Sequence, residues 1–285
     1  MEKYPFVSPL IIDRGLLFFL FYEIMIKIMN QRKREEAMIH LGGTARSPGD
    51  VQRLYDLGLQ FAEISITEPG EFSHLIEVYK GLKDKLGMYY VCHGPREGDP
   101  NNKETLEKEY LPKVLEILPI MKKLDMSLLT LHLWFDTRFV KSEVITFKVE
   151  LLDRIIAEAA DKGITICLEN LSESASHMDL PFKERPLLNL TLDLGHGQLL
   201  TKENRSYEFI KCYPQRIKHI HLHDNRGGDS YRDDLHLPPG KGTIDFKRIF
   251  KELRRISYDG TITLELKIHE IVSCLGYVKR LLFRE

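Results

Sequence analysis

The chain has 285 residues with 41 basic and 42 acidic side chains and a sequence pI near 6.8, a balance that argues against a strongly basic face built for nucleic acid. Its length suits two small domains or one barrel of alternating strands and helices, and no linker-like run divides it. The four cysteines, Cys92, Cys167, Cys212 and Cys274, are widely spaced with no CxxC pair, so disulfides are not expected and a reducing cytoplasm is the expected compartment.

The N-terminal stretch Gly15–Ile28 is apolar, but Glu23 and Lys27 interrupt it before the roughly 20 residues that a membrane span needs. It lacks a small-residue cleavage site, so a signal peptide is not expected. Residues 1–36 are read first as an extension formed by an amphipathic helix, next as a segment upstream of a start at Met38, and last as a membrane anchor.

From Ala37 onward, β-like runs alternate with amphipathic helical patterns. The runs are Ala37–Gly42, Phe61–Ile66, Met88–His93, Ser127–Leu133, Ile164–Asn170, Leu188–His196, Ile217–Asp224 and Gly260–Lys267. Helical patterns cover Asp50–Gly58, Phe72–Leu86, Lys103–Leu124, Phe147–Gly163, Phe246–Ile256 and His269–Phe283, with Gly58, Gly87 and Gly163 at expected stops. The segments after Asn170 and His196 are less regular, so short helices or loops are expected there. Eight strands alternating with helices predict a single (β/α)8 TIM barrel over residues 37–285, the catalytic domain, with the N-terminal segment outside it.

Strand parity sharpens the expectation. Aliphatic side chains should face the outer helices, leaving the alternate residue at each strand end to enter the catalytic mouth. Ile166 and Leu168 then place Glu169 inward; Leu190, Leu192 and Leu194 place Asp193 inward; Ile262, Leu264 and Leu266 place Glu265 inward. The same rule selects His93, His132 and His221. On the seventh strand His219, His221 and His223 share one face, and a column of imidazoles pointing inward implies a polar interior.

Histidine and carboxylate converging without cysteine form a nitrogen and oxygen set suited to Zn²⁺, Mn²⁺, Co²⁺ or Fe²⁺. Asp193-x-x-His196 and Asp234-x-His236 add local spacings that are weak individually. His40, His74, His177 and His269 are read as ordinary polar residues, His219 as buried and structural, and His223 as lying behind the ligands. Glu63 and Ser65 are read equally as substrate contacts or as polar residues filling the barrel.

The ordered set Cys167-Leu-Glu169-Asn170, Leu192-Asp193-Leu-Gly-His196, His221-Leu-His223-Asp224-Asn225, Asp234-Leu-His236-x-Pro-Pro-Gly240-Lys-Gly242 and Leu264-Glu265-Leu resembles the xylose-isomerase-like TIM-barrel superfamily, over roughly Met38 to Phe283. That superfamily joins sugar isomerases and epimerases to the endonuclease IV type of abasic-site nuclease. The epimerase branch implies one divalent ion on Glu169, Asp193, His221 and Glu265, with the two glutamates also shuttling a proton beside the carbonyl. The nuclease branch implies a three-zinc cluster that adds His93, His132, His196, Asp234 and His236.

Short first and second loops, the second acidic, and a departure from the nuclease pattern after His93 weigh against the nuclease. Arg226 stands where the epimerase branch implies an arginine, but in a long loop. The expected function is therefore a divalent-metal-dependent isomerase or epimerase of a small sugar, polyol or sugar phosphate, with an endonuclease IV-like zinc phosphodiesterase as the alternative. Zinc, manganese or cobalt, one to three ions, is the expected cofactor. Glu169 and Glu265 are the expected catalytic residues, and Arg96, Arg226 and Lys241 the candidates for holding a phosphate or carboxylate. A small-molecule partner, no membrane, homo-oligomerisation, and nucleic acid only under the alternative complete the expectation.

Overall fold

The computed structural model describes residues 39–282. The expected N-terminal helix lies outside the described residues. Eight parallel strands close in sequence order into a barrel: β1 (His40–Ala45), β2 (Phe61–Ser65), β3 (Tyr89–His93), β4 (Leu128–Leu131), β5 (Thr165–Glu169), β6 (Asn189–Asp193), β7 (Ile217–Leu222) and β8 (Thr261–Leu264). Closure is made where β8 pairs with β1, Gly42 opposite Thr263. Among the described residues no helix is long and apolar enough to cross a membrane, and the four cysteines are free thiols.

The helices that cover the barrel are α1 (Pro48–Asp56), α2 (Ile76–Leu86), α3 (Leu111–Lys123), α4 (Ser142–Ala160), α5 (Asp179–Glu184), α6 (Ser206–Cys212), α7 (Phe246–Arg255) and α8 (Ile268–Leu282). Local chemistry sets their ends. Ser47 caps α1 by accepting from Asp50 N at 3.3 Å, with Pro48 at the first helical position. Asp245 caps α7 by accepting from Arg248 N at 3.0 Å. The two segments without strong helical periodicity, after β5 and β6, carry the short α5 and α6, each preceded by a 3-10 turn, Ala175–Met178 and His196–Gln198.

The first strand begins at His40 and runs to Ala45, later than the expected Ala37–Gly42. Gly42 and Gly43 weaken its hydrophobic signal, and the register is fixed instead by pairing, Gly42 opposite Phe61 and Ala45 opposite Ile64. Gly42 also has a packing reason. A Cβ there would come within 2.5 Å of the Phe61 ring, which fills the lower barrel.

The interior is layered along the barrel axis. At the amino end Phe61, Val91, Leu128 and Cys167 form an apolar plug with Tyr89 against it. Above it lies a buried polar layer, where Thr130 and Thr191 are joined by a 2.8 Å hydroxyl hydrogen bond and His219 contacts Glu63 and Thr263 at 3.3 and 3.2 Å. The outward aliphatic residues, among them Leu129, Ile166, Leu190, Ile220 and Ile262, are fully or almost fully buried under the helices. That apolar shell makes a polar interior stable: the helices supply the hydrophobic burial, so the inner face is free to carry charge.

Candidate metal centre

Glu169 ends β5 and is the hub of the mouth. Its Oε2 lies 2.8 Å from His132 Nε2 and 3.4 Å from His93 Nε2, and its Oε1 lies 3.0 Å from His196 Nδ1 and 3.3 Å from His221 Nδ1. Asp193 ends β6 and meets His223 at 3.1 Å, His196 at 3.4 Å and His221 at 3.7 Å. Glu265, just beyond β8, approaches His221 Nδ1 at 3.4 Å and His236 at 3.7 Å. His236 and His196 in turn lie 3.2 and 3.3 Å from Asp234. The nine residues expected as ligands thus form one connected cluster of facing imidazoles and carboxylates.

In and beside this cluster, ligand atoms close enough for one ion fall into several groups. His93, His132 and Glu169 form one; Glu169, Asp193, His221 and Glu265 a second; His196, His223, Asp234 and His236 a third. Glu169 belongs to two of them. The donor set fits a borderline divalent metal, and His221 supplies a test of that fit. Its Nε2 is held by Glu63 Oε1 at 3.1 Å, which leaves Nδ1 buried, without a hydrogen bond, and facing the carboxylates of Glu169, Glu265 and Asp193. An imidazole lone pair aimed into a ring of anionic oxygens is repelled unless a proton or a cation stands between them. The residues present fit such an ion.

The same crowding sets protonation. Burial opposes ionising Glu169, but the imidazoles of His132 and His221 outweigh it and hold the carboxyl well below its ordinary range. Burial likewise opposes a charged His196, yet Asp193, Asp234 and Glu169 raise it well above the ordinary imidazole value. At His132 burial wins and the value falls. His236 is pushed up to about 9, its burial overcome by Asp234 and Glu265.

Backbone geometry holds these side chains. Asn170 braces β6 by donating to Asp193 O at 2.9 Å and accepting from Asp193 N at 2.8 Å. His93 Nδ1 is tied to Gly94 O at 2.9 Å, which turns Nε2 toward Glu169. Gly195 is required by close approach, because a Cβ there would fall 2.0 Å from the His223 ring. The loop that carries Asp234 and His236 is anchored on buried Asp224, which accepts from Gly240 N and Gly242 N at 2.8 Å each and from Ile244 N at 3.2 Å. His236 itself sits at φ 42, a conformation that costs a non-glycine residue energy and that this anchored loop imposes.

Three features go beyond the sequence reading or settle an alternative it left open. His223 faces the third ligand group, stacked on His236 with ring centroids 3.8 Å apart. Glu63 orients His221 and His219 rather than facing the cavity. Buried Glu97 and Glu173 brace the loops after β4 and β5: Glu97 accepts from Trp134 N at 2.6 Å and pairs with Lys148, and Glu173 accepts from Phe135 N and Leu171 N at 2.7 Å each. Burial pushes Glu97 up to about 7 despite Lys148. The only available signal for this brace was polar side chains beside strand ends, which is too common to select them.

Above this cluster opens a cavity of about 460 Å³, lined by His93, His132, Glu169, His196, His236 and Glu265 and by Arg46 and Arg96. Arg226 and Lys241 are exposed and do not line it. His40, His74, His177 and His269 lie outside the ligand groups; His40 pairs with Tyr89 at 2.7 Å.

The sequence profile described as xylose isomerase-like TIM barrel matches residues 51–279. The chain belongs to this family. Within the xylose isomerase-like barrels, it is 26% identical over 216 residues to an uncharacterized protein of Methanocaldococcus jannaschii, covering 70% of each chain. It is 32% identical over 133 residues to an L-ribulose 3-epimerase of a Methylomonas species, covering 44% of this chain and 43% of the relative. A third match is 30% identical over 153 residues to an inosose dehydratase of Clostridium perfringens, covering 46% and 50%. Among solved structures, a D-tagatose 3-epimerase-like protein superposes with a TM-score of 0.72 at 23% identity, covering 86% of this chain and 97% of that one. IolI protein with a bound zinc atom does so with a TM-score of 0.72 at 15% identity, covering 87% and 100%. At these identities the structural likeness is one of fold.

Proposed function

We infer that the chain is a divalent-metal-dependent isomerase or epimerase acting on a small sugar, polyol or sugar phosphate. Its sequence relatives include a sugar epimerase and inosose dehydratases, which supports chemistry on small polyhydroxylated substrates. The observation that carries the reading is the convergence of Glu169 and Glu265 on His221 Nδ1, at 3.3 and 3.4 Å, with both glutamates lining one cavity.

Glu169, Asp193, His221 and Glu265 would hold zinc, manganese or cobalt, and such an ion supplies Lewis acidity that polarises a substrate carbonyl and acidifies the adjacent C–H. The chain's own contribution is to move the proton. One glutamate oxygen takes it from the carbon beside the carbonyl, and the other glutamate returns a proton to a carbon or to the other face. Glu169 is kept ionised by His132 and His221 and so is ready as an acceptor. Glu265 is the more exposed of the pair, at 14% against 1% for Glu169. The cavity volume suits a monosaccharide rather than a polymer.

One observation favours a second reading. The separate ligand groups, two of them sharing Glu169, provide for more than one ion, the arrangement that a zinc phosphodiesterase of the endonuclease IV type calls for. Metal content separates the two: about three zinc per chain after purification without chelator favours the hydrolase, and one exchangeable manganese or cobalt the isomerase. Incubation with ketoses in deuterated water then tests the first reading. Deuterium entering the carbon beside the carbonyl supports it, whereas cleavage of an abasic duplex with no deuterium entry overturns it.

A further inference from the structure

The cavity is chemically two-sided. All three of its carboxylates, Glu169, Asp234 and Glu265, belong to the ligand groups and are engaged by imidazoles. The wall supplied by the first three strands and their loops has none; besides His93 and Gly94 it is lined by the hydroxyl-bearing Thr44, Ser65 and Thr67 and by Arg46 and Arg96. These two arginines come from different loops, after β1 and after β3.

Their lack of partners is informative. Elsewhere Arg138, Arg154, Arg185, Arg248 and Arg255 each meet a carboxylate, and exposed Arg226, which meets none, does not line the cavity. Neither Arg46 nor Arg96 has an ion pair or a side-chain hydrogen bond among the described residues. A lone exposed arginine is ordinary solvated surface, but two unpaired guanidiniums lining one concave space with three hydroxyl-bearing residues form a donor-rich wall with no carboxylate on it. A guanidinium fork matches the two oxygens of a phosphate or a carboxylate. An anion placed here would also be kept off the carboxylates of the floor.

We propose that Arg46 and Arg96 bind the anionic group of the substrate, a phosphate or a carboxylate, while its carbonyl end lies over Glu169 and Glu265. The identity of the carbonyl end rests on the isomerase reading; the anion site rests on the wall alone. Holding both ends fixes which carbon faces the two glutamates, so the arginines set substrate class and register and do not touch the proton being moved.

Calorimetric titration of the full chain loaded with Mn²⁺ tests this with D-fructose, D-fructose 6-phosphate and D-glucuronate as probes. We expect at least one anionic probe to bind about 100-fold tighter than fructose, and Arg46→Ala with Arg96→Ala to reduce that ratio to about one. An advantage confined to fructose 6-phosphate assigns a phosphate, and one confined to glucuronate a carboxylate. Equal binding of all three probes overturns the proposal. So does an advantage that survives in the double variant, because the ions would then be holding the anion. Circular dichroism of the double variant checks its fold. An arginine-dependent preference without deuterium exchange into any probe would remove the isomerase reading and leave the anion site standing; exchange into fructose with no anion preference would do the reverse.

Discussion

Glu63 on β2 reaches across the barrel to His221 on β7, its Oε1 3.1 Å from Nε2, while its Oε2 meets His219 at 3.3 Å. A buried carboxylate therefore fixes the orientation of the imidazole whose other nitrogen faces Glu169, Asp193 and Glu265. Such partners behind a ligand raise its basicity and hold its ring. Glu63→Gln is expected to weaken manganese or zinc binding by about 10- to 100-fold, measured by calorimetry, with the melting temperature of the metal-free protein little changed. Unaltered metal affinity would count against this role.

Glu169→Gln removes the acceptor while keeping the shape of the side chain. Turnover should fall by a factor of about 10² to 10⁴, the range for loss of a positioned base, with the far-ultraviolet circular dichroism retained. Activity at the parental level would refute the assignment.

Metal binding should displace protons. His196 is raised well above the ordinary imidazole value, its burial outweighed by Asp193, and His236 is raised to about 9. Below those values both rings are imidazolium and a cation must expel a proton to reach the nitrogen. Affinity should accordingly rise as pH increases from about 6 toward 9. Calorimetry in buffers of different ionisation enthalpy reads the proton count directly; a binding enthalpy independent of buffer would contradict the expectation.

Asp224→Ala leaves the backbone N–H groups of Gly240, Gly242 and Ile244 without their acceptor. The loss should destabilise the protein by about 3 kcal/mol, and limited proteolysis should cut first in the loop carrying Asp234 and His236. Metals bound by the third group should be lost before those bound by Glu169, Asp193, His221 and Glu265. Uniform loss of metal, with the loop resistant to protease, would show that the anchor lies elsewhere.

Gly195→Ala sets a methyl group 2.0 Å from the His223 ring. Overpacking of this kind costs about 1–3 kcal/mol, and the ring, stacked on His236, is what must move. A lower metal content at unchanged secondary structure is the expected result, read by elemental analysis.

The alternation of strands with helices, and the parity within each strand, were legible in the sequence because the two faces of a barrel strand meet different environments. Outward Ile166, Leu168, Ile262 and Leu264 could be told from inward Glu169 and Glu265 without coordinates. Only the first strand slipped, since Gly42 and Gly43 carry no hydrophobic signal and its register belongs to its pairing with Phe61–Ser65.

Side-chain type and period thus determined by themselves which residues turn inward and at which end of the barrel they emerge, since both follow from local backbone geometry. What only the tertiary structure decided is who faces whom across the lumen. Glu63 lies 158 positions from His221, and Arg46 and Arg96 share a wall with no sequence spacing to announce it. Those relationships depend on barrel closure and strand stagger, which are properties of all eight strands together and of no single segment.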